Sequence, residues 1–339
     1  MPTGISVVIC CFNSATRIKP TLKHLYKQKG ISTFLWEVIL VNNGSADNTS
    51  EVAINVWDSF IMEKPKFKIV DEPTPGLSFA RQKGINESYF DYILFCDDDN
   101  WLDEDYLIVA LNSMQEDPSI GALGGTGYPV FEKKETPYFW VNQYHALAVG
   151  IQSEIDGDIT DERGVLYGAG MIVNKLAYKN LIENFQFEFQ ISDRIGNTLL
   201  SSGDHELCLA LKKIGFKIHY SKSLTFKHYI PGYRTTIKYY KRLFLGFGMS
   251  NAMLSIYYVN KGSLNNIKND YRYIAMRCLK NIVFTSAFLL RKGYFFNKNN
   301  YKYLDNVHCL YSNMGHLKAI IKIKNLYKTQ FSRYPLFKQ

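Results

Sequence analysis

Short apolar runs alternate with helical patterns across the first 125 residues, and few architectures accommodate that order. Ile5–Cys10 (ISVVIC), Trp36–Val41 (WEVILV), Phe67–Val70 (FKIV) and Tyr92–Cys96 (YILFC) read as buried strands, with Ile120–Gly125 (IGALGG) as a fifth. Helical patterns lie between them at Thr16–Gln28, Thr49–Phe60, Leu77–Glu87 and Glu104–Gln115. Strands this apolar, each followed by a helix, predict a largely parallel sheet covered on both faces. Ligands of such sheets bind outside the carboxyl ends of the strands. Two polar stretches fall at that edge: Asn42–Ser45 (NNGS) and Asp97–Asn100 (DDDN).

The three adjacent aspartates are an electrostatic problem. If the strand continues through them, Asp97 and Asp99 face one way, two residues apart. Like charges so close need a cation between them, and a hard divalent ion with oxygen ligands supplies one. The competing reading is a solvated acidic loop capping the helix that begins near Glu104. Asn42–Gly44 has its own plain reading, a strand-to-helix turn, which Asn and Gly suit.

The middle of the chain is less regular. Ser153–Gly164 (SEIDGDITDERG) reads as a mobile polar loop, and Val165–Val173 returns to strand character with Gly168 and Gly170 inside it. Gly203–Gly215 reads as a helix with Asp204 as N-cap and Gly215 at its C-terminal end. FKIHY and LTFKH are two short strand candidates, the second ending at His228.

From Ile230 the texture changes. Residues 230–339 carry 19 Lys and Arg against two acids, Asp270 and Asp305, whereas residues 1–229 carry 21 against 29. Helical spacing dominates the tail, as in Ile237, Tyr240, Phe244 and Phe247 on one face. Cations interleaved with 21 Phe and Tyr suit an anionic membrane surface, and Met276–Lys292 is an interfacial-helix candidate. A helical substrate domain or an oligomer contact are the other readings; no groove-reading motif points to nucleic acid. No run of 18 apolar residues occurs, so no membrane-spanning helix is expected. The start, MPTGISVVICCF, lacks the basic region and long apolar core of a signal peptide. Six cysteines with neither CxxC nor metal spacing favour a reducing compartment. These readings divide the chain into a domain at 1–229 and a basic helical extension at 230–339. They locate it in the cytoplasm, peripheral at the inner face of the cell membrane.

The ordered set SVVICCFN, VNNGSADNTS, GLSFARQKGI, FCDDDN, YGAGMIV and SSGDHELCLAL resembles the family 2 glycosyltransferases, which have the α/β GT-A fold, over roughly residues 4–250. The resemblance implies an inverting, metal-dependent transfer from a nucleotide-sugar, a UDP-sugar by preference, to a hydroxyl of a glycan or lipid-linked glycan. It places Cys11–Asn13 against the nucleotide. Asn42 stands where members often carry an Asp that binds the uracil N3–H, and its amide oxygen still accepts from that group. Arg81 falls near the diphosphate, Asp97 near the ribose, and Asp98 beside them. Asp99, with Asp97 and His228, would hold Mn²⁺ or Mg²⁺. Gly168 and Gly170 match a segment near the donor sugar, where the backbone comes close. Asp204 matches the general base, with Gly203 replacing the Glu that often precedes it and Glu206 in support. A structural histidine at 228 and a simple packing role for the two glycines are the plain alternatives. A polyprenyl-phosphate sugar synthase and a non-catalytic nucleotide-binding scaffold are the rival functions.

Overall fold

The structure is a computed structural model that describes residues 2–61, 64–133, 137–191, 193, 199–258, 267–293, 304–333 and 336. Parts of the basic extension, at 259–266, 294–303, 334–335 and 337–339, lie outside the described residues.

In chain order the elements are β1 (Gly4–Cys11), α1 (Ile18–Tyr26), β2 (Leu35–Asn42), α2 (Thr49–Asp58), β3 (Lys66–Asp71), α3 (Leu77–Glu87), β4 (Tyr92–Asp97), β5 (Asn100–Leu102), α4 (Tyr106–Glu116), β6 (Ile120–Phe131), α5 (Tyr138–Val141), β7 (Gly157–Asp158), β8 (Ile172–Asn174), α6 (Lys175–Phe185), α7 (Gly203–Lys213), β9 (Lys217–Ile230), α8 (Ile237–Leu254), α9 (Ile267–Arg291) and α10 (Leu304–Arg333). The sheet order is β3-β2-β1-β4-β8-β6-β9-β5, with β7 paired to β9. β3, β2, β1 and β4 run parallel, as the alternation predicts. β8 runs antiparallel to both β4 and β6.

The register sets the site. Cys11 pairs with Asn42 and Cys10 with Asp97, so three strand ends meet at one edge. Val8, Ile39, Ile93 and Phe95 face one core layer, and Val7, Ile9, Val38 and Leu94 face the other. This is why these strands read as continuous apolar runs rather than alternating ones. The buried Ser6 and Glu37 satisfy each other at 2.8 Å, and the Tyr89 N–H also donates to Glu37.

Several expectations are corrected. FKIHY and LTFKH are one 14-residue strand, because β6 continues past Gly125 to Phe131 and pairs alongside it as far as Ile230. The segment 153–164 is pinned rather than loose. The Ile159 N–H donates to Ile218 O (2.8 Å), the Ile218 N–H to Thr160 Oγ1 (2.8 Å) and the Lys222 N–H to Asp156 (2.9 Å). Within 165–173 only the end is strand. Ser202, in the left-handed region at φ 98°, is the N-cap of α7, so Asp204 sits in the first turn instead.

The extension packs against the preceding part of the chain. α8 buries Tyr240, Leu243 and Phe244 against Phe139, Trp140 and Leu147 in a third core. α8 and α10 cross so closely that a Cβ on Gly248 would stand 1.9 Å from Ser312 O, and one on Gly315 would stand 2.0 Å from Leu245 O. Within α9, Tyr273–Arg291 has a mean hydropathy of 1.3 over 19 residues and is long and apolar enough to cross a membrane. Length and average hydropathy make the stretch a candidate span, although no 18 consecutive residues in it are apolar. Arg277 and Lys280 interrupt the apolar run without lowering its average below that mark. Only 11% of the stretch is buried, so it is not a core helix.

Candidate active site

β4 stops at Asp97, and Asp98 and Asp99 form the turn into β5. The Asp97 N–H donates to the fully buried Asn100 Oδ1 at 3.1 Å, which closes the turn. The carboxylates therefore leave in different directions, contrary to the expectation that Asp97 and Asp99 share a face. Each meets its own cation. Arg81 Nη2 lies 3.7 Å from Asp97, Arg17 Nη2 lies 2.8 Å from Asp98, and Arg234 Nη1 lies 3.1 Å from Asp99. His228 Nε2 is also 3.4 Å from Asp99.

Asp98 is buried beneath the site. It accepts from Ser14 Oγ, and the Thr21 hydroxyl donates to its backbone carbonyl at 2.8 Å. Burial and the neighbouring Asp99 push its carboxyl above the ordinary range, against the pull of Arg17. For Asp99, burial acts upward too, but His228 and Arg234 override it and hold the group well below that range.

Arg81 projects from α3 and is itself buried, over the Phe95 ring at 5.0 Å. A Cβ on Gly168 would stand 2.4 Å from its Nη2, so glycine at 168 is what lets the guanidinium lie against the backbone. Burial works against its charge, and the Asp97 and Asp204 charges more than offset that. Arg81 thus lies between the aspartate triplet and Asp204. Asp204 Oδ2 accepts from the Gly168 N–H (2.6 Å) and Oδ1 from the His205 N–H (2.8 Å).

One cavity of about 740 Å³ joins these groups. Cys11, Arg81, Asp97, Asp98, Asp99, Gly168, Asp204 and His228 line it. Asn13, Asn42 and Gly170 are not among its lining residues. Asn13, at φ 51°, accepts from the Ala46 N–H, and Asn42 bridges Asp71 and the Ser45 N–H. Gly170, at φ 71°, accepts from the Tyr106 hydroxyl at 2.6 Å, behind the site. Cys10 also lines the cavity, its thiol pushed up to about 12 by burial, so it is an inert packing group. α8 and α10 form the far wall with Leu243, Phe244, Phe247 and His308.

Arg17, Asp193 and Arg234 escaped the sequence reading, which took Asn43 only as part of the Asn42–Gly44 turn. Asn43 lines the cavity and ties the Glu72–Gly76 segment through Nδ2 and Oδ1. Asp193 accepts from the Gly203 N–H at 3.0 Å, and its backbone carbonyl accepts from the Leu77 N–H, joining the starts of α7 and α3. Arg234 stands six residues beyond His228, a spacing that was open to notice. Asp193 has no such signal in the sequence around it. Glu206, expected to support Asp204, is buried and takes the Gln190 and Ile191 N–H groups and the Tyr257 hydroxyl.

Among the described residues no group of three or more His, Cys, Asp or Glu stands ready as a metal cage. The Asp99–His228 pair nevertheless suits a cation. The Arg234 guanidinium stands where the two converge, 3.1 Å from Asp99 Oδ2 and 3.5 Å from His228 Nε2.

The sequence model of glycosyl transferase family 2 matches residues 6–181. This chain belongs to glycosyl transferase family 2. It is 30% identical over 138 residues to a poly-beta-1,6-N-acetyl-D-glucosamine synthase of Staphylococcus aureus (strain COL), and 29% identical over the same length to that of Staphylococcus epidermidis. The match takes in 39% of this chain and 30% of either relative, so it spans less than a third of their length. Among solved structures, S. aureus TarS 1-349 in complex with UDP-GlcNAc aligns at TM-score 0.51 and 14% identity, over 96% of this chain and 92% of that one. The mannosyltransferase PcManGT of Pyrobaculum calidifontis, in complex with GDP-Man and Mn²⁺, aligns at TM-score 0.62 and 12% identity, over 95% and 88%. At these identities the likeness concerns the fold, and the family 2 chain has the GT-A architecture with C-terminal helices added.

Proposed function

We propose that this chain is an inverting glycosyltransferase that moves a sugar from a nucleotide-sugar to an acceptor hydroxyl. One observation carries the reading: Asp204 and the aspartate triplet line a single cavity, joined by Arg81, which faces Asp97 and lies against Gly168, whose N–H donates to Asp204. Asp204 takes the proton of the attacking hydroxyl. The new bond forms between that oxygen and the anomeric carbon, and the bond from that carbon to the diphosphate breaks. Its electron pair leaves with the nucleoside diphosphate. Two backbone N–H groups, of Gly168 and His205, hold the carboxylate of Asp204 in place at the cavity. Arg81 is set to meet the negative charge that develops on the diphosphate. A lipid-phosphate acceptor is already ionised and needs no such base, so Asp204 favours a hydroxyl.

Asp99 and His228 are the residues that would hold a divalent ion, which when bound would neutralise the leaving diphosphate, whereas Asp97 is turned to Arg81. The Mn²⁺ in PcManGT supports this assignment. A UDP-sugar is the donor we favour, in line with the TarS complex. A glycan or lipid-linked glycan is the acceptor we favour, in line with the polysaccharide synthases among the relatives and the apolar far wall of the cavity.

α9 supports attachment to an anionic membrane surface on the cytoplasmic side. Met276, Val283 and Phe284 are 61%, 67% and 75% exposed, and Arg277, Lys280, Arg291 and Lys292 are exposed beside them.

The test is release of nucleoside diphosphate from a panel of nucleotide-sugars, with and without Mn²⁺ and glycan acceptors. Turnover with at least one donor is expected. No turnover across the panel in folded protein would sink the reading.

A further inference from the structure

Asp99 and His228 are 2% and 5% exposed, too buried for water to solvate a bare carboxylate. An ionised carboxylate in such a place needs a resident partner. Arg234 provides it. It sits on the short helical turn Gly232–Thr235 between β9 and α8, and its side chain reaches back to Asp99 and to His228. Its hold is incomplete: Nε is buried without a hydrogen-bond partner, and so is Nδ1 of His228. Arg234 also lines the cavity, so its guanidinium has space to turn into. Arg17 and Arg81 face Asp98 and Asp97 instead, so neither takes its place at Asp99.

We propose that Arg234 is the resident counter-ion of the Asp99–His228 pair and that a divalent cation binds there by displacing it, turning the guanidinium into the cavity. This rests on the metal assignment made under the proposed function, not on the Asp204 chemistry. Two cations cannot share one buried carboxylate cheaply, since like charges a few ångströms apart in a poorly solvated site repel strongly. The exchange keeps Asp99 compensated both before and after the ion arrives. It also moves a positive group toward the diphosphate side at the moment the ion binds.

The test is Mn²⁺ binding to the full chain without nucleotide, read by electron paramagnetic resonance of the free ion. Arg234→Met removes the competitor, and its Kd for Mn²⁺ should fall about tenfold or more. Arg234→Lys keeps a cation and should stay near wild type. Arg17→Met removes a neighbouring charge without touching Asp99 and should change the Kd much less. A second readout is thermal stability. Arg234→Met should melt lower than wild type in metal-free buffer and recover on adding Mn²⁺, whereas wild type should gain less. An unchanged or higher Kd in Arg234→Met overturns the proposal, as does an equal fall in Arg17→Met, which would be a plain net-charge effect. Failure of both wild type and Arg234→Met to bind Mn²⁺ overturns it too, and leaves Asp204 to be judged by turnover.

Discussion

The Gly168 backbone N–H donates to Asp204 Oδ2 at 2.6 Å, across 36 residues of chain. That bond holds the candidate base against the same backbone on which Arg81 lies. Asp204→Asn keeps an oxygen able to accept it but cannot take a proton. Transfer should fall about 10²- to 10⁴-fold, the range of general base catalysis, while the melting temperature stays close to wild type. Initial rates beside a thermal melt check both halves.

Gly168→Ala probes the other side of that contact. The added methyl would need the place of the Arg81 guanidinium, 2.4 Å away. Overpacking of this kind costs about 1–3 kcal/mol. Arg81 should be pushed off the cavity, so nucleoside diphosphate binding should weaken along with stability. Calorimetry with nucleoside diphosphate and a denaturant titration report the two effects; tight binding in a destabilised protein would contradict the account of Arg81.

Glu206 should separate from Asp204 in its effects although it is two residues away. Its carboxylate takes backbone N–H groups and the Tyr257 hydroxyl, outside the cavity lining. Glu206→Gln replaces one accepting oxygen with a donor facing donors. It should cost about 1–3 kcal/mol of stability while turnover per folded molecule is retained.

Asp117 offers a pH test away from the site. Hydrogen bonds from Ser119 and Lys217, the latter at 2.9 Å, hold its carboxyl well below its ordinary value of 3.8. A group depressed on folding stabilises the protein above its unfolded value, and the contribution is lost as pH falls through the folded one. Wild type should therefore exceed Asp117→Asn by a constant amount down to about pH 5, with the gap closing only in stronger acid. Because the pair is on the surface, the gap should be under about 1 kcal/mol. Denaturant midpoints of both proteins between pH 7 and pH 2 would show it.

If α9 meets an anionic bilayer, Val283→Ser with Phe284→Ser should reduce cosedimentation with vesicles containing phosphatidylglycerol. Binding of wild type should fall with salt, since exposed cations contribute about 1 kcal/mol each near such a surface. Equal binding to neutral vesicles in high salt would remove the electrostatic part of the reading.

The local chemistry of this chain was legible in its residues. α3 runs from Leu77 to Glu87 as its pattern predicts, and the first four apolar runs are the parallel strands. Apolar periodicity is a short-range property, written into neighbouring residues, and each run needs only a core to face. Asp97, Asp99, Arg81, Asp204 and His228 were nameable for a related reason: their types and order carry the resemblance. The length of β9 was not legible, because Ser221–Ser223 is polar and only β6 alongside makes the strand continuous.

By itself, then, the sequence determined a largely parallel α/β sheet with an acidic triplet at its carboxyl edge and a basic, aromatic extension. Only the tertiary structure decided which cation faces which carboxylate, and that the extension closes the cavity's far wall. Arg17 meets Asp98 across 81 positions and Arg234 meets Asp99 across 135, pairings decided by how strands and helices stack and not by any neighbour in the chain. Charge at a strand end is a local fact; its partner is a fact of packing.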